Sequence, residues 1–129
     1  MLACDAGNIA DLAICHAAKL ALGQGLAYLC AWGPDCERVH DLFDKEKWAS
    51  GLDHSDETTI MTTWHDDETL DDVLWFFLNC VIAAGKYESS CQSFLAMSVD
   101  NDEWTRIIRT RLGDPEALNR DVVGPETEL

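Results

Sequence analysis

The sequence predicts an α/β fold, a small three-layer αβα sandwich built on a three-stranded parallel sheet. Three short runs of apolar and β-branched residues alternate with longer amphipathic segments, and each run is followed by an acidic turn. Strands that alternate with helices form parallel sheets with right-handed crossovers. We therefore expect the order α-β-α-β-α-β-α, a flavodoxin-like or Rossmann-like arrangement, with the strand order 2-1-3.

The first two helices and the first strand are predicted in the N-terminal part of the chain. Residues 8–22 carry an apolar stripe at helical spacing, formed by Ile9, Leu12, Ala13, His16, Ala17 and Leu20. Asn8 is the expected N-cap and Gly23 the expected end of this helix. Residues 26–32 are nearly all apolar, which is typical of a strand buried on both faces. Pro34 suits the first turn of a second helix, which continues to Ser50.

The second strand and its helix follow a polar loop at residues 51–57. The strand is predicted at residues 58–63, and the helix begins at Asp66 or Asp67 and ends at Gly85. The apolar residues of this helix extend around its circumference to Trp75 and Phe76. Such a helix is either central in the fold or meets a partner.

The third strand is predicted at residues 93–99, and the last helix runs from the acidic turn at Asp100 to Leu112. Gly113 ends that helix, so residues 1–113 are predicted to form one α/β domain. Residues 114–129 contain two prolines and five acidic residues without a helical or strand period. We expect them to form an acidic, loosely ordered tail.

The charge of the chain restricts its partners. It has 24 acidic and 9 basic residues, a net charge of −15. Nucleic acids and anionic membranes both require a basic face, so neither is an expected partner. The charge favours either a basic protein partner or simple solubility. No apolar run is long enough to span a membrane, and the N-terminus lacks the basic region of a signal peptide, so we expect a cytoplasmic protein.

The six cysteines are expected to be reduced and mostly buried. Nothing in the sequence indicates secretion, and no C-x-x-C pair of the zinc or thioredoxin kind is present. Cysteine in such a context behaves as a small apolar residue.

Acidic residues follow all three predicted strands. The loops after parallel strands emerge at one edge of the sheet, which is where such folds bind ligands. The residues that we expect at this edge are Asp35, Glu37, His65, Asp66, Asp67, Glu68, Asp100, Asp102 and Glu103.

Two interpretations of this acidic edge remain open. Acids in the first turn of a helix cap free N–H groups and complement the helix dipole. Converging carboxylates also hold Mg²⁺ or another divalent metal, and the candidate ligands are Asp35, His65, Asp66, Asp100 and Asp102. Phosphate binding is not expected, because the three loops contain no lysine or arginine and the chain has no glycine-rich phosphate motif.

The candidate catalytic residues are His65, Cys36 and Glu68. A histidine beside carboxylates can act as a general base or a metal ligand. A helix N-terminus lowers the pKa of a thiol such as Cys36, whereas the neighbouring Asp35 and Glu37 raise it. A Cys36–His65 nucleophile pair across adjacent strand ends is geometrically possible. The chain is more simply interpreted as a protein without enzymatic activity.

Two turns resemble those of a family of short bacterial α/β proteins of unknown function. The family shares a WG-x-DCE turn and a TTWH-x-x-E turn, which correspond to WGPDCE at residues 32–37 and TTWHDDE at residues 62–68. The resemblance covers residues 26–78. It implies that the two turns belong together in space, with Asp35, Cys36, Glu37, His65 and Glu68 as a candidate site. It implies no activity, because none is attached to that family.

The preferred functional hypothesis is a small acidic binding protein that docks or neutralises a basic protein, as an immunity protein masks a toxic nuclease. Five tryptophans support it, because tryptophan is enriched in interface hot spots. The candidate partner-binding residues are Trp48, Trp64, Trp75 and Phe76, and Trp48 is expected to be partly exposed. The alternative is a divalent-metal-dependent enzyme or ligand binder at the acidic edge. A homo-oligomer that pairs through Trp75 and Phe76 is compatible with either hypothesis.

Overall fold

A computed structural model describes residues 1–51 and 58–124. The strands are β1 (Leu2–Ala3), β2 (Tyr28–Trp32), β3 (Met61–His65) and β4 (Met97–Ser98). The helices are α1 (Asp11–Gly23), α2 (Cys36–Ser50), α3 (Leu70–Asn79), α4 (Asp102–Gly113) and α5 (Pro115–Val123), and a short 3-10 helix covers Ala6–Asn8. Within the described ranges, no helix is long and apolar enough to cross a membrane.

The four strands form one parallel sheet in the order β3-β2-β1-β4. The predicted α/β class is therefore confirmed, but the three-stranded sheet with the order 2-1-3 is wrong. The additional strand is β1, which lies between β2 and β4, where Leu2 pairs with Ala31 on one side and with Met97 on the other. A strand of two residues shows no sequence period, so only its long-range pairing reveals it.

Two buried clusters cover the two faces of the sheet, because successive side chains of a strand point to opposite faces. Leu29 and Ala31 of β2 pack on one side with residues of α1 and α2, whereas Cys30 packs on the other side with residues of α3, α4 and α5. The first cluster comprises Cys4, Ala6, Ile14, Ala18, Leu29, Ala31, Cys36, Val39 and Phe43. The second comprises Met1, Ala3, Cys30, Leu70, Val73, Leu74, Phe77, Ile108 and Leu118.

Helix α1 buries a different face from the predicted one. Its buried residues are Ile14, Ala18 and Leu22, whereas Leu12, from the predicted stripe, is 81% exposed. The helix carries two apolar stripes, and the sequence period does not say which of them meets the sheet. Asn8 is also not the N-cap, because it ends the 3-10 helix and α1 begins only at Asp11.

Helix α3 is shorter than predicted and is capped by a different residue. The hydroxyl of Thr69, not a carboxylate of Asp66 or Asp67, accepts a hydrogen bond from the N–H of Asp72 at 3.2 Å. The helix ends at Asn79, six residues before Gly85. Trp75 and Phe76 are half-buried and pack against the second core cluster. The two neighbouring strands also differ from the prediction: β3 begins three residues later, and β4 has only two residues.

The predicted loose tail contains helix α5. The carboxylate of Asp114 accepts from the N–H of Ala117 at 3.2 Å and starts the helix, and Leu118 is fully buried between α5 and the core. Arg111 of α4 donates to both carboxylate oxygens of Asp71, at 3.0 and 2.8 Å, and to Asp121 of α5 at 2.8 Å. These bonds join α3, α4 and α5. Residues 125–129 lie outside the described residues, as do residues 52–57 of the loop predicted at 51–57.

Candidate functional site

One edge of the sheet gathers exposed carboxylates. Because the four strands are parallel, the segments that follow them all emerge at the same edge. We call this surface the acidic rim. Its exposed members are Asp5, Asp35, Glu37, Asp66, Asp67, Glu68, Asp100, Asp102 and Glu103. The sequence prediction included every one of them except Asp5, which follows the unpredicted strand β1.

Helix capping does not account for most of the rim. Neutral side chains cap two of the three helices that begin there: Thr69 caps α3, and Asn101 caps α4 by accepting from the N–H of Trp104 at 3.0 Å. Asp35 occupies the N-cap position of α2 in a left-handed conformation, with φ 63°, and makes no side-chain cap bond. Asp5 does accept from the N–H of Gly7, at 3.2 Å. Glu37 lies in the first turn of α2, and Asp102 and Glu103 lie in that of α4, where they complement the positive ends of the helix dipoles.

The basic side chains close to the rim are already paired. The guanidinium of Arg38 donates to Asp35 at 2.7 Å and to Asp11 at 2.5 Å, and these hydrogen bonds raise the pKa of Arg38. Arg38 also donates to the carbonyls of Ala6 and Ile9, and thereby ties the 3-10 helix to α2. Arg106 lies 4.0 Å from Glu103. These pairs offset Asp35 and Glu103, and the more numerous other acids leave the rim with an excess of negative charge.

His65 is a buried bridge within the turn between β3 and α3. Its Nδ1 atom lies 2.8 Å from Oε1 of Glu68, and its Nε2 atom lies 2.9 Å from Oγ1 of Thr63. The ring also packs on Phe76, with centroids 4.8 Å apart. Since both ring nitrogens have a protein partner, the arrangement fixes the turn. His65 and Glu68 are in contact, as predicted. The contact between His65 and Thr63 was not predicted, and no sequence pattern indicates it.

Cys36 is buried beside the backbone of His65, not beside its imidazole ring. Burial raises the pKa of the Cys36 thiol, and a hydrogen bond from the backbone of His65 acts in the opposite direction. The indole N–H of Trp32 donates to the carbonyl of Glu68 at 2.8 Å. The two turns quoted above therefore lie together, as expected. The predicted nucleophile pair is not formed, because the His65 ring bonds Thr63 and Glu68.

This placement predicts an order of cysteine reactivity. All six thiols are free, and Cys80 is exposed whereas Cys36 is buried with a raised pKa. We expect iodoacetamide at pH 8 to modify Cys80 first and Cys36 only after unfolding, because alkylation requires an accessible thiolate. Peptide mass spectrometry over a time course measures both rates. Equal rates at Cys36 and Cys80 in the folded protein would contradict this placement.

The five predicted metal ligands are not brought together. Asp35 bonds Arg38 and His65 bonds Glu68, while Asp66 is exposed after β3, and Asp100 and Asp102 are exposed before and at the start of α4. Across residues 1–51 and 58–124, no three His, Cys, Asp or Glu side chains are close enough to hold a metal ion. The described geometry thus provides no ligand set for a divalent metal.

Two of the four predicted partner-binding residues are accessible. Trp48 is 72% exposed, as predicted. Trp64 is 41% exposed, and the centroid of its ring lies 4.5 Å from that of His40. Trp64 belongs to β3, an edge strand of the sheet, and Trp48 lies on α2, which packs against that strand. Trp75 and Phe76 instead pack inward, so the predicted oligomer contact through them is not supported.

Comparison with known proteins yields a family and no activity. A family model described as a domain of unknown function (DUF7684) matches residues 1–115. No curated protein and no solved structure matches the chain. The matched residues include the whole acidic rim and both quoted turns.

Proposed function

We propose that this chain, which belongs to the DUF7684 family of unknown function, is a small acidic cytoplasmic binding protein that docks or neutralises a basic protein. The acidic rim is the docking surface, in the manner of an immunity protein. The observation that carries the proposal is the exposure of the rim acids, most of which cap no helix, since Thr69 and Asn101 cap α3 and α4 in their place.

The charge distribution supports this function. Like charges that are gathered on one surface repel each other and destabilise the compact state. A basic partner removes that repulsion and is also steered toward the rim by the long-range field. Arg38 and Arg106 offset only part of this charge from within the chain, because among the described rim acids they pair with Asp35 and Glu103 alone.

An exposed aromatic residue lies next to the rim. Trp64 precedes His65 at the end of β3, and the exposed acids Asp66 and Asp67 follow directly. Tryptophan is a frequent hot-spot residue, and its ring attracts the cations of lysine and arginine. The combination of an indole with neighbouring carboxylates suits a basic protein surface.

Calorimetric titration with a lysine- and arginine-rich dodecapeptide tests this function. We expect binding that weakens between 50 and 200 mM NaCl, because surface charge pairs are screened by salt. The double substitution Asp66→Asn with Asp67→Asn removes two rim charges and is expected to weaken binding about 3- to 10-fold.

The matched control carries Glu88→Gln and Glu116→Gln, which remove two exposed charges that do not belong to the acidic rim. It is expected to bind within about twofold of the original chain, because salt screens exposed charges that are not in contact with the peptide. An equal loss in both double variants would show that only net charge matters. No binding of the basic peptide, or equal binding of its glutamate counterpart, would contradict the proposed function.

A further inference from the structure

Strand β3 has an open side. It is the first strand in the order β3-β2-β1-β4, and within the described part of the chain only β2 pairs with it. The N–H of Met61 donates to the carbonyl of Ala27 at 3.1 Å. Alternate residues of a parallel strand turn their backbone groups to the same side. The odd-numbered residues of β3 therefore face β2, while Thr62 and Trp64 direct their N–H and C=O groups to the open side.

Helix α2 closes the start of this edge and supports the rest of it. The buried Lys47 donates to the carbonyl of Ile60 at 3.1 Å, so that backbone group is occupied. The hydroxyl of Thr62 donates to Asp44 at 2.6 Å, which holds the strand against α2. The open stretch of backbone thus begins at Thr62 and continues to Trp64 at the rim.

Two exposed indoles lie on the two elements that form this edge, Trp64 on β3 and Trp48 on α2. His40, Asp44 and Trp48 are spaced four residues apart and form one stripe of α2 beside β3, with His40 on Trp64 and Asp44 on Thr62. Trp48 lies two turns beyond His40, about 12 Å along the helix axis. That distance corresponds to roughly four residues of an extended chain. A short extended segment that pairs with Thr62 and Trp64 and continues along α2 can therefore span the distance between the two indoles.

The charges around the open edge of β3 favour a basic segment as its occupant. Asp41 on α2 and Asp66 and Asp67 beyond β3 are exposed. Acids beside an open strand repel a second copy of a chain whose net charge is −15 and attract a basic segment. Lysine and arginine side chains also bind to the faces of exposed indoles.

We propose that β3 accepts an extended lysine- and arginine-rich segment of the partner as a fifth strand of the sheet, flanked by Trp48 and Trp64. This inference rests on the proposed function and specifies the partner's chemistry and its mode of binding. Backbone hydrogen bonds to Thr62 and Trp64 supply affinity, and the indoles and acids select the basic side chains.

Two substitutions at one position test the inference with the same basic dodecapeptide. Thr62→Pro removes the outward N–H, and proline is tolerated on an edge strand where the N–H faces solvent. Thr62→Val keeps that N–H and removes only the hydroxyl. We expect Thr62→Pro to weaken binding about tenfold or more relative to Thr62→Val, because a strand contact is lost. Circular dichroism confirms that both variants are folded.

A change in the probe tests the inference independently of the variants. A dodecapeptide with the same charges and fully N-methylated amides cannot donate hydrogen bonds to β3. We expect it to bind the unsubstituted chain about tenfold or more weakly than the unmodified peptide does. Equal affinities of Thr62→Pro and Thr62→Val, or of the two peptides, would overturn strand addition. If Asp66→Asn with Asp67→Asn still weakened binding in that case, the proposed function would stand. A peptide-free dimer that Thr62→Pro dissociates would assign the edge to a second copy and overturn the inference.

Discussion

Replacing Gly33 by alanine is expected to destabilise the fold by about 2–5 kcal/mol. Gly33 has φ +116°, a conformation that residues with a Cβ atom rarely adopt. An added Cβ would lie 2.1 Å from the carbonyl oxygen of Cys4. That oxygen is held in place, because the N–H of Cys4 donates to Trp32 at 3.1 Å and the N–H of Ala6 donates to Pro34 at 3.0 Å. The clash therefore separates β1 from β2 beneath the rim.

Urea unfolding monitored by circular dichroism measures this effect. The matched control is Gly23→Ala, because an added Cβ at the last residue of α1 meets no atom within 4 Å. Alanine favours a helix over glycine, so we expect this control to be unchanged or slightly more stable. Equal unfolding midpoints for the two variants would show that β1 does not approach β2 as described.

Replacing Leu118 by alanine is expected to cost about 2–5 kcal/mol of unfolding free energy, the usual range for a buried leucine. Leu118 has no exposed surface and belongs to the same core cluster as Val73 and Leu74 of α3. Its removal leaves a cavity under α5. The result tests whether α5 is part of the folded domain, since a loose tail would tolerate the substitution.

The control for this prediction lies on the same helix. Val123 is 67% exposed, so Val123→Ala is expected to change the stability by less than about 0.5 kcal/mol. Both variants are compared by thermal unfolding at the same pH. If Leu118→Ala and Val123→Ala had the same melting temperature, α5 would not be packed on α3 and α4.

The sequence predicts the central part of the fold because burial on both faces leaves a clear pattern. The apolar run of β2 and the amphipathic pattern of α2, which ends at Ser50, were recognised in this way. Parallel pairing then placed the strand ends at one edge, so most of the rim could be assigned by residue. These features depend on local patterns and one topological rule.

The remaining features depend on contacts between distant residues. Strand β1 exists because Leu2 pairs with Ala31 and Met97, and two residues carry no period of their own. The sequence of helix α5 shows no apolar stripe of helical period, because acidic residues lie on its outer surface and Leu118 is its single fully buried residue. Local sequence patterns therefore predict neither β1 nor α5.

The candidate site could also be predicted only in part from the sequence. The acidic composition of the rim is visible in the sequence, but whether each acid caps a helix depends on backbone geometry. Thr69 and Asn101 take the capping positions, and Thr63 reaches His65 because they are two residues apart on one face of β3. The exposed Trp48 could be predicted from its place near a helix end. The inward packing of Trp75 could not, because it depends on the helices that cover α3.

The central claim is that a basic partner binds along the open edge of β3 and the adjoining rim. Titration of ¹⁵N-labelled protein with the unlabelled basic dodecapeptide tests it most directly, through the amide and indole signals in two-dimensional NMR spectra. We expect the largest shifts at Thr62 and Trp64, at Asp66 and Asp67, and at the indole of Trp48. Shifts confined to the exposed face of α1 around Leu12, or no shifts below millimolar peptide, would contradict the account.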